Sequence, residues 1–450
     1  MTKKLVIFSL LFLISLHSFS QKHKQGIVNR KFSTFQVGDT VNILGYKETE
    51  YSERTQYLIK SSFDNVHVNT DRIDLIDDDF TFWENQWFKY RARDIQNNGW
   101  YSSNRDLLHT DAMEFLEEVK QNNLVFEDEV LYDYLYQLIF KIHPSYLIKD
   151  KNRVVHLAII KSTEPTYFSF DNGMIILTTG SLSLAKDEAD IVKMLSECLA
   201  NTVLDHNLIN LNQAIKAENR ARTWGTITTL ASSAVMAYGN AKNGTYYNFD
   251  DAYTLGLAAS YLTAENMQRI GANYNNEQNK LVKSVAAEYW KEHIGQYNTS
   301  NKQVMAILSN AISYTAWQEF YSKNYEYSLL LAERIESMEM ATEDEYLLLS
   351  KLYRRLGNDL DTNLQALTYI NNAREMALEP MVDLDLEEGL IYLRMEDFKN
   401  AKTSFLKYRE NLIALQRSGD PMPKSDLKYI NQILRRFNMH DEDKSIGVLD

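Results

Sequence analysis

Residues 187–201 read DEADIVKMLSECLAN and place a carboxylate, a thiol and an amide within five positions of one another. On a helix Glu197 and Asn201, four apart, share one face, with Cys198 beside them. Two imidazoles at that spacing, with a glutamate between them, would hold zinc and activate a water molecule. A carboxylate can also ligate zinc, but a neutral amide oxygen is a poor ligand. Nine histidines occur, at 17, 23, 67, 109, 143, 156, 206, 293 and 440, and no two are four apart. The paired-imidazole motif is therefore written nowhere in the chain. Cys198 as a nucleophile would need a histidine within hydrogen-bond reach. His206 is eight residues on, about two helical turns away. The expected role of Cys198 is a small buried apolar residue, and that of Glu197 a solvated or capped carboxylate.

The elements around this helix set its context. Val154–Ile160 reads as a strand, and Thr166 to Thr179 as a strand pair turning at Asp171-Asn172-Gly173. Two helical stretches fill 105–142, and helices resume at about 276 and run to the end. Residues 30–76 alternate apolar and polar positions in Phe35–Tyr46, Tyr57–Lys60 and Val66–Val68, a small β module. Its V-G-D-x-V-x-I run looks like the opening of an SH3-like barrel. Residues 77–101 carry Phe80, Phe82, Trp83, Trp87, Phe88, Tyr90 and Trp100 and read as a linker or docking helix.

Composition and termini bound the function. Lys3 and Lys4 precede an apolar run from Leu5 to Leu16, and Ser18-Phe-Ser20 supplies small residues for cleavage. Residues 1–20 are expected to be an export signal, with a mature start near Gln21 and a periplasmic or secreted destination. No cysteine follows the apolar run, so no lipid anchor is expected. The single cysteine excludes an intramolecular disulfide. A net charge of −13 argues against a nucleic-acid partner. Only 5 prolines and 16 glycines in 450 residues favour long helices, and 28 tyrosines suit protein-binding surfaces as well as helix packing. Residues 223–240 are weakly apolar and rich in small residues. They read as a close-packed helix, with contact to a membrane surface as a secondary role.

Laid on D-E-x-E-L-x-x-V-L-x-H-E-x-x-H, the frame positions Asp187, Glu188, Asp190, Ile191, Met194 and Leu195 are kept or conservatively replaced. Val203-Leu-Asp-His206 continues the frame, and Gly173 and Thr178-Thr-Gly180 match the preceding strand and turn. On these motifs residues 150–300 resemble the M48 metallopeptidases, about a third of the chain, and the layout resembles their exported bacterial members with C-terminal tetratricopeptide repeats. The resemblance implies that the first zinc histidine has become Glu197, the base glutamate Cys198 and the second histidine Asn201. From the lead-in Tyr274–Gln278, the third ligand falls on Leu281 and the following aspartate on Lys283. All three ligands and the base are changed together, so no catalytic residue, metal ligand or cofactor is expected.

The repeat reading rests on two stretches. Gly389, Tyr392, Ala401 and Phe405 follow the tetratricopeptide spacing, and Ser350, Tyr353, Ala366 and Ile370 follow it with four extra residues in the turn. Tyr353 and Tyr392 are 39 apart, close to the ~34-residue period once that insertion is counted. The expected architecture is α+β and mainly helical. It has an SH3-like β module (30–76), a degenerate zincin-like M48 core (105–297) and tetratricopeptide-like helices (300–440). The expected function is an exported pseudopeptidase, binding a protein or peptide through its cleft and repeats as an envelope assembly factor. Two alternatives differ in class. One is a working zinc metalloendopeptidase using Glu197 with His206 or a carboxylate near Glu277. The other is a repeat scaffold with an inert centre.

Overall fold

The structure is a computed structural model and describes residues 24–48, 55–60, 65–76, 82–83, 86, 90, 101–142, 156–223, 271–418 and 424–442. The expected export signal, Gln21, residues 224–240 and the similar stretch 252–263 lie outside the described residues. The fold is mixed α and β, mainly helical, with an antiparallel sheet first and paired helices last.

The first sheet has strands β1 (Lys24–Val28), β2 (Thr40–Glu48), β3 (Thr55–Lys60), β4 (Asn65–Asn69) and β5 (Ile73–Leu75). The order is β4-β3-β2-β1-β5, antiparallel throughout. A 3-10 turn at Thr70–Arg72 joins the last two strands. The period-two pattern buries Val41 and Ile43, Tyr57 and Ile59, and Val68 on one face, with Val28, Phe32 and Ile73. The sheet begins at Lys24, six residues before the expected start at 30. Strand β1 is hard to read because one of its inward positions is Gly26, which supplies no apolar side chain to the pattern.

A second unit is built around a three-stranded sheet, β6 (Leu157–Ile160), β7 (Tyr167–Ser169) and β8 (Ile175–Thr178), in the order β6-β8-β7. Strands β6 and β8 are parallel, and β7 and β8 are antiparallel around a turn in which Gly173 has φ +89°. That value is open to glycine and costly for a residue with a Cβ. Both faces of the sheet are covered, so β6 and β8 are continuous apolar runs. Ala158, Ile160, Phe168 and Ile176 meet Phe115 and Val119 of α1 (Tyr101–Gln121). Leu157, Ile159, Ile175 and Leu177 join the core formed with α2 (Glu129–Ile142), α3 (Thr179–Leu184) and α4 (Glu188–Val203). Helix α5 (His206–Thr223) follows, and α6 (Asn276–His293) packs along α4. Of the aromatic stretch 77–101, Phe82 and Trp83 dock against Tyr289 of α6, and Trp83 Nε1 donates to the Ile142 carbonyl at 2.7 Å.

Helices α7 (Asn301–Tyr321) and α8 (Tyr325–Ser337), α9 (Glu343–Leu356) and α10 (Leu360–Met376), and α11 (Val382–Arg394) and α12 (Phe398–Ser418) form three hairpins. Helix α13 (Lys424–Glu442) packs on α12. At Gly389 an added Cβ would lie 2.5 Å from the Phe405 ring, so only glycine lets α11 and α12 approach this closely. The four extra residues of the middle hairpin lengthen its helices and not its turn. Both turns, 357–359 and 395–397, have three residues. One extra residue extends the end of α9 and three extend the start of α10. The first hairpin shares the central core: Leu308, Ala311, Ile312, Ala316 and Leu331 belong to the same cluster as Leu195 and Leu199 of α4. Arg334 of α8 reaches back to the Ser183 carbonyl at 2.6 Å and also to the Ala185 carbonyl. The core therefore runs unbroken through the expected boundary at 297–300.

Candidate functional site

Helix α4 is fixed at both ends. Asp187 caps its start, accepting from the Asp190 N–H at 3.0 Å, and Glu188 and Asp190 place negative charge in the first turn, where the helix dipole favours it. Its apolar stripe buries Ile191, Val192, Leu195, Cys198 and Leu199. Past its end Asp205 takes φ +55°, rarely populated by a residue other than glycine. Asp205 is held there by Arg105, whose Nη2 donates to its carboxylate at 2.9 Å. The other arm of Arg105 grips both oxygens of Asp171, at 3.0 and 2.9 Å. Arg105, Asp171 and Asp205 are all buried. One guanidinium thus ties α1, the β7–β8 turn and the α4–α5 corner together.

Around this staple the backbone ends are satisfied one by one. Ser169 Oγ donates to the Cys198 carbonyl at 2.7 Å, and the Ser169 carbonyl accepts from Asn207 Nδ2 and the Tyr274 hydroxyl at 2.9 and 3.1 Å. Burial pushes the Tyr274 phenol above its ordinary pKa. These bonds lock β7 to α4, α5 and the entry of α6.

The four positions that the family frame assigns to zinc chemistry lie on or beside this locked helix, and each is otherwise engaged. Glu197 is half-buried and accepts from the Tyr167 hydroxyl of β7 at 3.0 Å. Burial raises its carboxyl pKa, opposed by the Tyr167 bond and the Lys283 charge on α6. Tyr167 in turn is raised by burial and by the Glu197 charge. Asn201 donates through Nδ2 to the Glu197 carbonyl at 3.2 Å, and its Oδ1 lies 2.8 Å from His206 Nδ1. An amide oxygen only accepts, so this imidazole nitrogen is the donor. Cys198 is fully buried and its thiol is pushed up, first by burial and then by the Glu197 charge, which disfavours the thiolate a nucleophile needs. Leu281 packs against the central core.

These residues do not fit a catalytic zinc. Such a site needs three donors and an open position. Here one ligand position is an amide bonded at both ends and another is an aliphatic side chain. His206 is buried and turned to Asn201, while Glu197 is turned to Tyr167 and Lys283. Glu277 lies exposed in the first turn of α6. Among the described residues no group of three His, Cys, Asp or Glu side chains is placed to hold a metal ion.

Tyr167 was not singled out by the sequence frame, and Asp171 was visible only as a turn residue. Arg105, 66 residues from Asp171 and 100 from Asp205, carries no local signal at all. The outer edge of β6 is closed: Leu157 and Ile159 donate to the Tyr136 and Tyr132 hydroxyls at 3.2 and 3.0 Å, and the Phe126 N–H bonds the Ile159 carbonyl at 2.7 Å. At β7 Tyr167 and Ser169, two apart, share the face that meets α4, Tyr167 on Glu197 and Ser169 on the Cys198 carbonyl. No protein-family model matches the chain, and no curated protein sequence matches it.

Proposed function

We propose that the chain is an exported, M48-like pseudopeptidase that binds a protein or peptide in the cell envelope and does not cut it. The observation that carries this reading is the engagement of the side chains at the positions that the resemblance would give to zinc chemistry. On the proposed register Glu197, Cys198, Asn201 and Leu281 fall where the family has its ligands and base. Each is spent on a hydrogen bond or on the core. The surrounding helix, strand and corner remain rigidly built, which is what a binding surface needs. An extended peptide would meet β7 at Tyr167 alone, because the β6 edge is occupied and the Ser169 carbonyl is already held by Asn207 and Tyr274. The strand order β4-β3-β2-β1-β5 with its 3-10 turn supports an SH3-like barrel for the first module. The Gly389–Phe405 contact supports tetratricopeptide-like hairpins for the array. Contact of 223–240 with a membrane surface remains a secondary element of the proposal.

Metal analysis of the purified full chain, with casein cleavage in the presence and absence of chelator, tests the reading. Sub-stoichiometric zinc and no cleavage are expected. Stoichiometric zinc with chelator-sensitive cleavage would establish the metalloendopeptidase alternative instead. A pull-down from the cell envelope, repeated with Tyr167→Pro to break the β7 edge and with residues 378–450 removed, separates cleft binding from a pure repeat scaffold.

A further inference from the structure

At the opposite end of α4, about two and a half turns from Glu197, the first residue of the helix forms a second site. Glu188 is 5% exposed, yet it lines an open cleft of about 490 Å³ between α2, α4 and the start of α7. Three donors hold its carboxylate. The Tyr134 hydroxyl lies 3.1 Å from Oε1, the Thr299 N–H 3.1 Å from Oε2, and the Thr299 hydroxyl also bonds Oε1. A carboxylate accepts about four hydrogen bonds, so one position on Oε2 is open. Among the described residues no lysine or arginine pairs with Glu188. Its neighbour in the cleft, Lys141, sits instead over the Tyr297 ring, 5.9 Å from the centroid.

A buried carboxylate held by neutral donors and the start of a helix has no full counter-charge among the described residues, and such groups are ordinarily paired. The rest of the lining is chemically suited to a short aliphatic stem. Leu138, Ala306 and Ile307 supply apolar wall, and the volume is within the range of small-ligand pockets, about 300–1,000 Å³. We infer that this cleft binds an aliphatic cation, a primary ammonium or guanidinium on a short apolar stem, with the charge on Glu188 Oε2 and the stem on Leu138 and Ile307. Such a group is carried by a lysine or arginine side chain of a peptide or by a free alkylamine. The site shares no side chain with the Glu197 cluster, although Glu188 stands on the same helix.

The experiment is calorimetric titration of the full chain with N-acetyl-lysine methylamide, cadaverine, and two controls: the uncharged norleucine analogue and N-acetyl-glutamate methylamide. The lysine probe is expected to bind one to one, and the norleucine analogue at least about tenfold more weakly, the discrimination a single desolvated charge contact supplies. Glu188→Gln should cost the lysine probe about tenfold or more, and Lys141→Ala should gain a few-fold by removing a like charge. Because Glu188→Gln also touches the bonds to Tyr134 and Thr299, Ala306→Trp, which fills the exposed wall without touching Glu188, should abolish binding in a chain with unchanged thermal unfolding. Tighter binding of the lysine probe than of cadaverine assigns the site to a peptide side chain, and the reverse assigns it to a free amine. The inference is overturned if no cation binds up to about 10 mM, a free energy of only about 3 kcal/mol. It is equally overturned if the norleucine or glutamate analogue binds as well as the lysine probe, or if neither Glu188→Gln nor Ala306→Trp weakens binding.

Discussion

The central unit and the helical array solve the same problem, holding helices against one another, by different chemistry. In the centre the joints are polar and buried: Arg105 grips Asp171 and Asp205, Asn201 grips His206, and Ser169 is bonded from three sides. In the array the joints are steric. Gly389 lets Phe405 in, and apart from the largely buried Arg354–Glu387 pair the ionic contacts, such as Arg374 to Asp385 at 3.2 Å, keep one partner partly in water. A buried charge network tolerates little change, because removing one member strands the others. Steric joints tolerate whatever keeps the volume. The difference predicts that the two regions fail differently, and the tests below run from the largest failure to the smallest.

Ending the chain after residue 299 should leave no cooperatively folded product, because Leu308, Ala311, Ile312 and Leu331 complete the central core. Ending it after Ala377 should keep the central unit folded, since the cluster of Leu384 and Ile391 against Ala366 and Ile370 is separate. Circular dichroism melts of the two products check this, and equal behaviour would erase the distinction. Next, Arg105→Met strands two buried carboxylates and should cost about 3–5 kcal/mol in urea unfolding. Arg374→Met, at an arginine 37% exposed whose partner Asp385 keeps Lys407 and Asn411, should cost under about 1 kcal/mol. Gly389→Ala should cost about 1–3 kcal/mol by overpacking. Phe405→Leu in the same chain should return part of that loss, a coupling read by a double-mutant cycle.

The smallest effect is a pH slope at Glu197. Burial, the dominant influence, raises its carboxyl pKa in the folded state. The folded chain therefore binds this proton more tightly than the unfolded chain does. The sign is that stability is greater below the ordinary carboxylate range and falls as pH rises through the raised value. Wild type should lose stability relative to Glu197→Gln over that window and run parallel to it above. Parallel curves throughout would mean that Tyr167 and Lys283 fully offset the burial.

What the sequence disclosed divides along the same line as the chemistry. The array was legible at Gly389, Tyr392, Ala401 and Phe405 because steric joints repeat at fixed spacing. The first hairpin lies inside the expected helical range 300–440, but its repeat register was not read. Ala316 and Ser328 keep the small positions at the same spacing, but Glu319 and Ala332 stand where an aromatic would have marked it. The β7–β8 turn was legible at Asn172-Gly173 because its signal is local. The staple was not, because partners 66 and 100 residues apart leave no periodicity. Nor did the pattern reveal the merger of the first hairpin with the centre, since Leu308 and Ile312 look alike whether they face a repeat or another domain. Tyr167 and Lys283 could be found only once β7 and α6 were laid against α4.

The grip of Arg334 on the carbonyls of Ser183 and Ala185 has a mechanical consequence. Those two atoms end α3, immediately ahead of the Asp187 cap. A load applied to α8 therefore reaches the root of α4 through this cation as well as through the core that Leu331 shares with Leu195. Whatever tugs on α8 pulls, by that rivet among others, on the axle that carries both Glu188 and Glu197.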